Sequence, residues 1–367
     1  MKRFLVRAAA LLALIAAGVF LAVAAGVVPI AASSGHWPAT AWFLHFAMKR
    51  SVATHSLSIR APPLDDPVLV SKGATHYHGG CRACHGSPEQ PQPVVARGMT
   101  PAPAYLGERI AGWEPQQLFY VVKHGVKFTG MPAWPAQQRD DEVWAVVAFL
   151  RRLAALDAAE YRRLALGEDR VWPASAPIGA LAGSANPRAT LGESCAPCHG
   201  WDGLGRNAAF PRLAGQSAGY LSNALAAYAR GERHSGIMQP IAASLERETI
   251  GELAAHFARL PPAPAQRGDP AAIARGEAIA HEGIPSQRVP SCADCHGPGA
   301  TPHDGAYPLH AGQHADYLIL QLELFARGHR GGSPYARLMR PIAGQLTEEQ
   351  RRDVAAYYAS LDAPSAR

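Results

Sequence analysis

The chain has 367 residues, of which 48% are hydrophobic, 8% aromatic and 17% charged, with a formal net charge of +6. This length is sufficient for about two to four small domains. The basic residues form no cluster interleaved with aromatic residues, so the positive charge does not indicate a nucleic-acid partner.

The first 35 residues predict a membrane-spanning segment. Three basic residues precede a stretch without charge that runs from Ala8 to Ala32. A cleavable signal peptide needs an apolar core of about 7–15 residues, whereas a spanning helix needs about 20, so the length favours a retained anchor. Small residues at the end of the stretch leave cleavage as the alternative. Basic residues ahead of the span predict that the N-terminus lies in the cytoplasm and the remaining chain outside it.

Residues 36–62 form a juxtamembrane segment with two open interpretations. Its aromatic residues are typical of an interfacial belt at a membrane surface, and two basic residues follow them. The alternative is an ordinary apolar helix that packs on the next domain. The residues concerned are Trp37, Trp42, Phe43, Phe46, Lys49 and Arg50.

All six cysteines of the chain fall in three copies of the pattern Cys-x-x-Cys-His, which is the attachment signature of c-type haem. Two thiols one helical turn apart can each add to a haem vinyl group, and the histidine that follows becomes the proximal iron ligand. A zinc site would need paired knuckles that close on one metal, and a disulfide framework would not repeat one spacing. We therefore expect three covalently bound haem c groups, attached by Cys81, Cys84, Cys195, Cys198, Cys292 and Cys295 and ligated by His85, His199 and His296.

An internal repeat defines the domains. The segment Ala214-Gly215-Gln216 matches Ala311-Gly312-Gln313, and His199 matches His296 at the same separation of 97 residues. Four additional residues precede the third-domain match of Met-x-Pro-Ile. Duplication explains such a match better than chance. The predicted units are a signal anchor at 1–35, the juxtamembrane segment at 36–62, haem domains at 63–157, 188–262 and 263–367, and a linker at 158–187.

The pattern of helix signals predicts an all-α fold with three tandem domains after an N-terminal transmembrane helix. Asp66 before Pro67 is a suitable cap for a helix that runs toward Cys81. A second helix is expected over Pro115 to Lys123. Acidic residues at 140–142 are expected to begin the last helix of the first domain, since negative charge is favourable at a helix N-terminus. Equivalent last helices are expected after residues 244 and 346.

One methionine follows each motif in a predicted loop marked by a nearby proline. Met131, Met238 and Met339 are therefore the expected distal iron ligands, since a His/Met pair gives a low-spin haem and raises its reduction potential. Met99 is a weaker rival to Met131. Without such a ligand, an open iron would suit a peroxidase.

The proximal histidines need acceptors for their second ring nitrogen. The backbone carbonyls of Pro211 and Pro308 are expected to serve His199 and His296, whereas Pro101 and Pro103 compete in the first domain. Four residues that recur 97 positions apart are candidates to bind haem propionates, with packing as the equal alternative; they are Tyr220, Tyr317, Arg233 and Arg330. The remaining histidines near the motifs are expected to be structural or solvated: His76, His78, His124, His234 and His329.

These residues carry a family resemblance. All three segments resemble class I cytochrome c domains, and the last two are similar to tandem dihaem cytochromes of the c-four type, through Pro-x-Leu-Ala-Gly-Gln, Arg-Gly-x-Arg and Met-x-Pro-Ile. The third segment departs from this pattern at Pro308-Leu309-His310-Ala311. The first segment resembles monohaem domains of oxidase and dehydrogenase cytochrome subunits, through His124-Gly125 and Thr129-Gly130-Met131-Pro132.

The resemblance implies an electron-transfer protein rather than an enzyme. We expect a cytochrome anchored in the bacterial inner membrane that relays single electrons in a periplasmic respiratory chain, as the electron-transfer subunit of a dehydrogenase. A dehydrogenase or quinol-oxidising complex would be the donor, and an oxidase or soluble carrier the acceptor. The alternatives are an electron-donating relay to a terminal oxidase or a haem enzyme such as a peroxidase.

Overall fold

The computed structural model describes residues 1–167, 191–297, 305–333 and 335–363. Throughout these ranges the regular structure is helical, and extended pairing is limited to the isolated bridges Arg233–Arg330 and Ile284–Val289. The all-α prediction is confirmed. The rest of the predicted linker, at 168–187, lies outside the described residues.

The N-terminal segment forms two helices, α1 at Lys2–Ala24 and α2 at Pro38–His55. Helix α1 has a mean hydropathy of 2.4, contains no buried residue and is long and apolar enough to cross a membrane. The second half of α2 packs on the first haem domain, where Val52 is buried and His55 stacks on Tyr120 at 5.6 Å. Its first half leaves Trp42 67% exposed. The second half of α2 thus packs on the first domain, and the interfacial belt stays a prediction for the exposed first half.

The first domain is built around one helix crossing. Asp66 caps its first helix by accepting a hydrogen bond from the Val68 N–H at 2.9 Å, as the sequence predicts. A Cβ atom on Gly73 would overlap the carbonyl group of Ala145 in the last long helix, so only glycine permits this backbone approach. The helices are α3 at Pro67–Gly80, α4 at Arg82–His85, α5 at Val94–Arg97, α6 at Leu106–Arg109, α7 at Pro115–His124 and α8 at Asp140–Leu153.

The segment after α8 differs from the prediction. Residues Ala158–Leu166 were expected to begin a linker, but they form helix α9, which begins at an Asp157 capping box. Tyr161 and Ala165 of α9 are fully buried, and Tyr161 belongs to the same core as Tyr77 and Phe149. The apolar face of α9 thus belongs to the core of the first domain, which extends beyond the expected boundary at 157 to Leu166.

The second and third domains share one architecture. The second contains α10 at Ala196–His199, α11 at Ala218–Ala229, α12 at Met238–Ala243 and α13 at Arg247–Arg259. The third contains α14 at Pro270–Glu282, α15 at Ala293–His296, α16 at Ala315–Ala326, α17 at Ala336–Gln345 and α18 at Glu348–Ala359. In the third domain, Gly276 of α14 approaches the Asp353 carbonyl of α18, which repeats the Gly73 crossing of the first domain.

The second domain contacts both of its neighbours. Toward the first domain, the Arg206 guanidinium donates to Ser71 Oγ at 2.9 Å and to Thr75 Oγ1 at 2.8 Å. Toward the third domain, Arg233 donates to Tyr317 Oη at 2.9 Å. The three motifs therefore lie in domains that pack on one another along the chain.

Candidate functional site

Each Cys-x-x-Cys-His motif forms a single helical turn. Helices α4, α10 and α15 each begin directly after the first cysteine and end at the histidine. The backbone N–H of His85 donates to the Cys81 carbonyl at 2.9 Å, and His296 makes the same bond to Cys292 at 2.9 Å. None of the six cysteines forms a disulfide. The turn holds two free thiols one turn apart, as thioether attachment requires.

Backbone carbonyls orient the histidines of the second and third domains. The Nδ1 atom of His199 lies 3.0 Å from the Pro211 carbonyl oxygen, and that of His296 lies 3.1 Å from the Pro308 carbonyl oxygen. Both sequence predictions are confirmed. A ring that donates from Nδ1 keeps its Nε2 atom unprotonated for iron.

The first domain uses a different acceptor from those expected. The Nδ1 atom of His85 lies 2.7 Å from the carbonyl oxygen of Ala104, so neither Pro101 nor Pro103 serves this histidine. The Pro103 carbonyl instead accepts a hydrogen bond from Gln92 Nε2 at 2.9 Å. Every residue type carries a backbone carbonyl, so a proline is not required as the acceptor at this position.

Burial favours the neutral form of the three proximal histidines. Desolvation lowers the pKa of His85, His199 and His296, and the hydrogen bond to each carbonyl opposes that effect only in part. Neutral imidazole is the form that binds a metal ion. Burial also raises the pKa of the Cys81 and Cys195 thiols to about 12, which keeps them protonated before attachment.

A large cavity beside α4 matches the requirements of a c-type haem. Its volume is about 2430 Å³, and its walls include the thiols of Cys81 and Cys84, the His85 ring and Met131. A covalently bound His/Met haem requires two thiols for attachment and an imidazole and a thioether as iron ligands. The residues present therefore fit this group. The chemistry that haem supplies when bound is one-electron exchange at its iron. Because Cys198 lines the same cavity, the first haem site opens toward the motif of the second domain.

Two methionines of the first domain share this cavity. The loop that carries Met131 is fixed by a bond from the Met131 N–H to Thr129 Oγ1 at 3.1 Å and by a bond from the Val126 N–H to the Met131 carbonyl at 3.2 Å. The methyl end of Met99 lies against Gly130, next to Met131 in the chain. Both candidates therefore lie at the same wall, and Met131 remains the predicted ligand.

The other two predicted distal methionines lie in helices. Met238 is the first residue of α12, and Met339 lies inside α17, where it packs against Phe325 and neighbouring residues. The expectation of a loop is therefore correct only for Met131. Proline does not mark a loop at these two methionines. Pro240 lies in the first turn of α12, where no intrahelical N–H bond is lost, and Pro341 lies inside α17.

Two of the additional histidines, His76 and His78, line the cavity beside α4. His76 is buried and its pKa is lowered well below the ordinary value, chiefly by desolvation. His78 Nδ1 lies 3.0 Å from Tyr161 Oη, and burial lowers the pKa of His78 to about 3.

One residue near the third motif was missed. The His310 ring lies 4.1 Å from the His296 ring and packs edge-on against Tyr358. In the sequence, His310 is marked only by a difference between the two repeats, since the second repeat has Leu213 at this position.

The recurring arginines and tyrosines bind one another across the joint between the second and third domains. Arg233 donates to Tyr317 Oη at 2.9 Å, and Arg330 donates to Tyr220 Oη at 2.9 Å. The antiparallel bridge Arg233–Arg330 places the two residues side by side. The repeat thus builds a joint from equivalent residues of both copies.

Comparisons with known proteins agree with this description. A family model for cytochrome c oxidase, cbb3-type, subunit III matches residues 69–150, and the cytochrome c model matches residues 187–256 and 273–362. The thiosulfate dehydrogenase electron acceptor of Stutzerimonas stutzeri (strain A1501) is 40% identical over 187 residues, which are 49% of this chain and 82% of the relative. Cytochrome c4 of Thiocapsa roseopersicina is 33% identical and aligns with 46% of this chain and 86% of its own length.

A solved structure of cytochrome c4 from Acidithiobacillus ferrooxidans is 36% identical, covers 46% of this chain and 99% of its own, and has a TM-score of 0.42. The motif turns define a haem-binding protein, and its relatives, an electron acceptor and a cytochrome c4, make it an electron-transfer protein rather than an enzyme. The chain belongs to the c-type cytochromes, and its relatives place it with the cytochrome c4 type.

Proposed function

We propose that this cytochrome relays single electrons through three covalently bound haem c groups, as the electron-transfer subunit of a periplasmic dehydrogenase. The observation that carries this proposal is the repeated turn in which the histidine donates from Nδ1 to a backbone carbonyl, at Ala104, Pro211 and Pro308. The proposed iron ligands are His85 with Met131, His199 with Met238, and His296 with Met339. A filled sixth position suits electron transfer rather than substrate binding at iron.

The proposed donor is a dehydrogenase that oxidises a sulfur oxyanion such as thiosulfate. Two relatives, from Stutzerimonas stutzeri and Thiomonas intermedia, are thiosulfate dehydrogenase electron acceptors and are 40% and 37% identical to this chain. The proposed acceptor is a terminal oxidase or a soluble carrier.

The proposed location is the bacterial inner membrane, with the haem domains in the periplasm. Helix α1 supports this location because it contains no buried residue and is apolar from Ala8 to its end, while three basic residues lie in its first two turns. The exposed Trp42 and Phe46 rings, which stack at 5.6 Å, suit the membrane–water interface beside this span.

Reduction of the loaded protein by a purified thiosulfate dehydrogenase with thiosulfate tests the proposed donor. We expect all three haems to be reduced at a rate that saturates with the cytochrome concentration. An equal amount of free haem c peptide serves as the control for unspecific reduction. Absence of reduction by this enzyme, with normal reduction by dithionite, would reject the thiosulfate donor.

A relay that donates electrons to a terminal oxidase is the second candidate. It is favoured by the match of residues 69–150 to the cbb3-type oxidase subunit. Extraction of native membranes with detergent, followed by purification of this protein with whatever remains bound to it, distinguishes the dehydrogenase subunit from the oxidase relay. Recovery with a haem-copper oxidase and no dehydrogenase would favour the second candidate.

A further inference from the structure

The first and second domains meet at a buried carboxylate. Glu142, near the start of α8, is 3% exposed. Its Oε1 atom accepts a hydrogen bond from Ser235 Oγ at 2.6 Å, and its Oε2 atom accepts one from the Gly236 N–H at 2.6 Å. Because a buried charge without partners is strongly unfavourable, these bonds fix the 235–236 segment of the second domain against the first.

The first domain holds this carboxylate in place from the other side. Arg139 forms an ion pair with Glu142 at 3.0 Å, and Trp134 Nε1 donates to its Oε2 atom at 3.1 Å. Arg139 also donates to the His234 carbonyl at 2.8 Å. The indole of Trp134 lies directly against Gly236, where a Cβ atom would overlap its Nε1 atom. Glu142 therefore belongs to a closed network in which neither domain can shift alone.

This network continues to the backbone of Met238. The same Ser235 hydroxyl that donates to Glu142 accepts hydrogen bonds from the Ile237 N–H at 3.3 Å and the Met238 N–H at 3.1 Å. Ser235 thus satisfies N–H groups at the start of α12, where no intrahelical acceptor exists. Two hydrogen bonds in series connect a carboxylate of the first domain to the proposed distal ligand of the second haem.

The third domain offers an internal comparison. The segment before Met339 is four residues longer than the segment before Met238. There the Ala336 N–H donates to the Ser333 carbonyl at 3.1 Å, and the preceding Gly331 and Gly332 lie against the backbone and Ala227 of the second domain rather than against a carboxylate. The shorter loop of the second domain is the one that receives a carboxylate from its neighbour.

We propose that Glu142 is a positioning residue for the haem of the second domain. It holds the 235–238 segment from the neighbouring domain, so that contact between the first two domains sets the strength of methionine ligation at the second iron. This inference rests on the proposed role of Met238 as a ligand. Since methionine ligation raises the potential of a haem, a looser Met238 lowers one of the three potentials.

The test uses the full, haem-loaded chain with Glu142→Gln. We expect one reduction potential to fall while two stay constant, and the methionine-to-iron charge-transfer band of the ferric protein to weaken. Imidazole, which competes with methionine for ferric iron, should bind one haem about tenfold more tightly, a change of about 1.4 kcal/mol, because an amide oxygen is a weaker acceptor for Ser235 than a carboxylate. Asp140→Asn is the matched control, since Asp140 lies at the same helix end but pairs with Lys123 within the first domain.

Two further variants keep the outcome decisive. Met238→Ala should open one haem, and Glu142→Gln added to it should change neither the potentials nor imidazole binding further. If Met238→Ala opens no haem, the proposed ligand is wrong. If it opens one but Glu142→Gln leaves potentials and imidazole binding at their original values, the positioning role alone is rejected. If Glu142→Gln fails to incorporate three haems, Ser235→Ala is measured in the same way. This variant removes the hydroxyl that joins Glu142 to the Met238 N–H but keeps the carboxylate.

Discussion

Gln216 and Leu309, which belong to different domains, bind each other through a closed pair of hydrogen bonds. Gln216 Nε2 donates to the Leu309 carbonyl at 2.9 Å, and the Leu309 N–H donates to Gln216 Oε1 at 2.9 Å. Gln313 makes the same pair with Arg212 in the opposite direction, at 2.9 and 3.0 Å. Because the two glutamines are equivalent in the repeat, the joint between the second and third domains has approximate two-fold symmetry.

This symmetry predicts equal effects of two substitutions. Gln216→Ala and Gln313→Ala each leave two backbone groups of the other domain without their partners, which should weaken the joint by about 1–3 kcal/mol. Denaturant unfolding of the loaded protein, followed separately at the haems and by circular dichroism, measures this loss. We expect the two variants to shift the midpoint alike. A shift for only one of them would contradict the symmetric arrangement.

The Tyr220 hydroxyl should ionise at a lower pH than an ordinary tyrosine. Burial alone would raise its pKa, but the guanidinium groups of Arg233 and Arg330 outweigh that effect and lower the pKa of Tyr220 to about 8. Burial raises the pKa of its repeat partner Tyr317 to about 12. NMR titration of protein labelled at tyrosine Cζ should show one resonance that moves near pH 8. That signal should be lost in Tyr220→Phe and should move to higher pH in Arg330→Gln.

The same group predicts how stability depends on pH. Between about pH 8 and 10 the folded protein has released the Tyr220 proton while the unfolded chain still holds it, so the free energy of unfolding rises with pH. Below pH 8 this contribution is lost. Tyr220→Phe should remove the rise, measured as the difference between the two proteins across this interval.

The helix crossing of the first domain should not tolerate a methyl group. Gly73→Ala places a Cβ atom on the Ala145 carbonyl, and such overpacking costs about 1–3 kcal/mol. Gly251→Ala is the matched control, because Gly251 lies in α13 and has open space around its Cβ position. That control should raise stability by about 0.5–1 kcal/mol, since alanine favours a helix over glycine. Thermal unfolding of both variants measures the contrast, and similar midpoints would contradict it.

The distal ligand of the first haem can be decided by a pair of substitutions. Met131→Ala should give one high-spin ferric haem by electron paramagnetic resonance and lower its potential by at least about 59 mV, a tenfold change for one electron. Met99→Ala should leave the haem low-spin. The opposite result would make Met99 the ligand.

Met339→Ala provides the same test in the third domain. One haem should become high-spin, bind cyanide rapidly and fall in potential, because no thioether remains at its sixth position. Stopped-flow cyanide binding and a redox titration measure both effects. Unchanged spin state and potentials would show that another group ligates this iron.

Local signals predicted the motif turns and the helix caps. The Asp66–Pro67 cap and the carbonyl acceptors at Pro211 and Pro308 follow from residues close in sequence or from the repeat, which supplies a register. The acceptor at Ala104 could not be found, because the first domain is outside the repeat and any backbone carbonyl can accept.

Contacts between domains were the part that sequence could not supply. Ser235 and Glu142 are 93 residues apart, and no local pattern indicates that one accepts a hydrogen bond from the other. The arginines and tyrosines of the repeat were recognised as related, yet their pairing across the joint depends on how two copies pack. Helix α9 could not be predicted as part of the first domain, because its apolar residues are buried only by tertiary contact with that domain's core.

The second domain uses separate residues for its two neighbours: Ser235 and Gly236 toward the first, and Arg212 and Gln216 toward the third. The two joints can therefore diverge independently under selection. The symmetric joint holds the duplicated pair together, and the first domain attaches to that pair through two segments of the second domain, at Arg206 and at 235–236. The second motif therefore lies in the one domain that both joints share. Substitutions there can retune the electron path without rebuilding either partner.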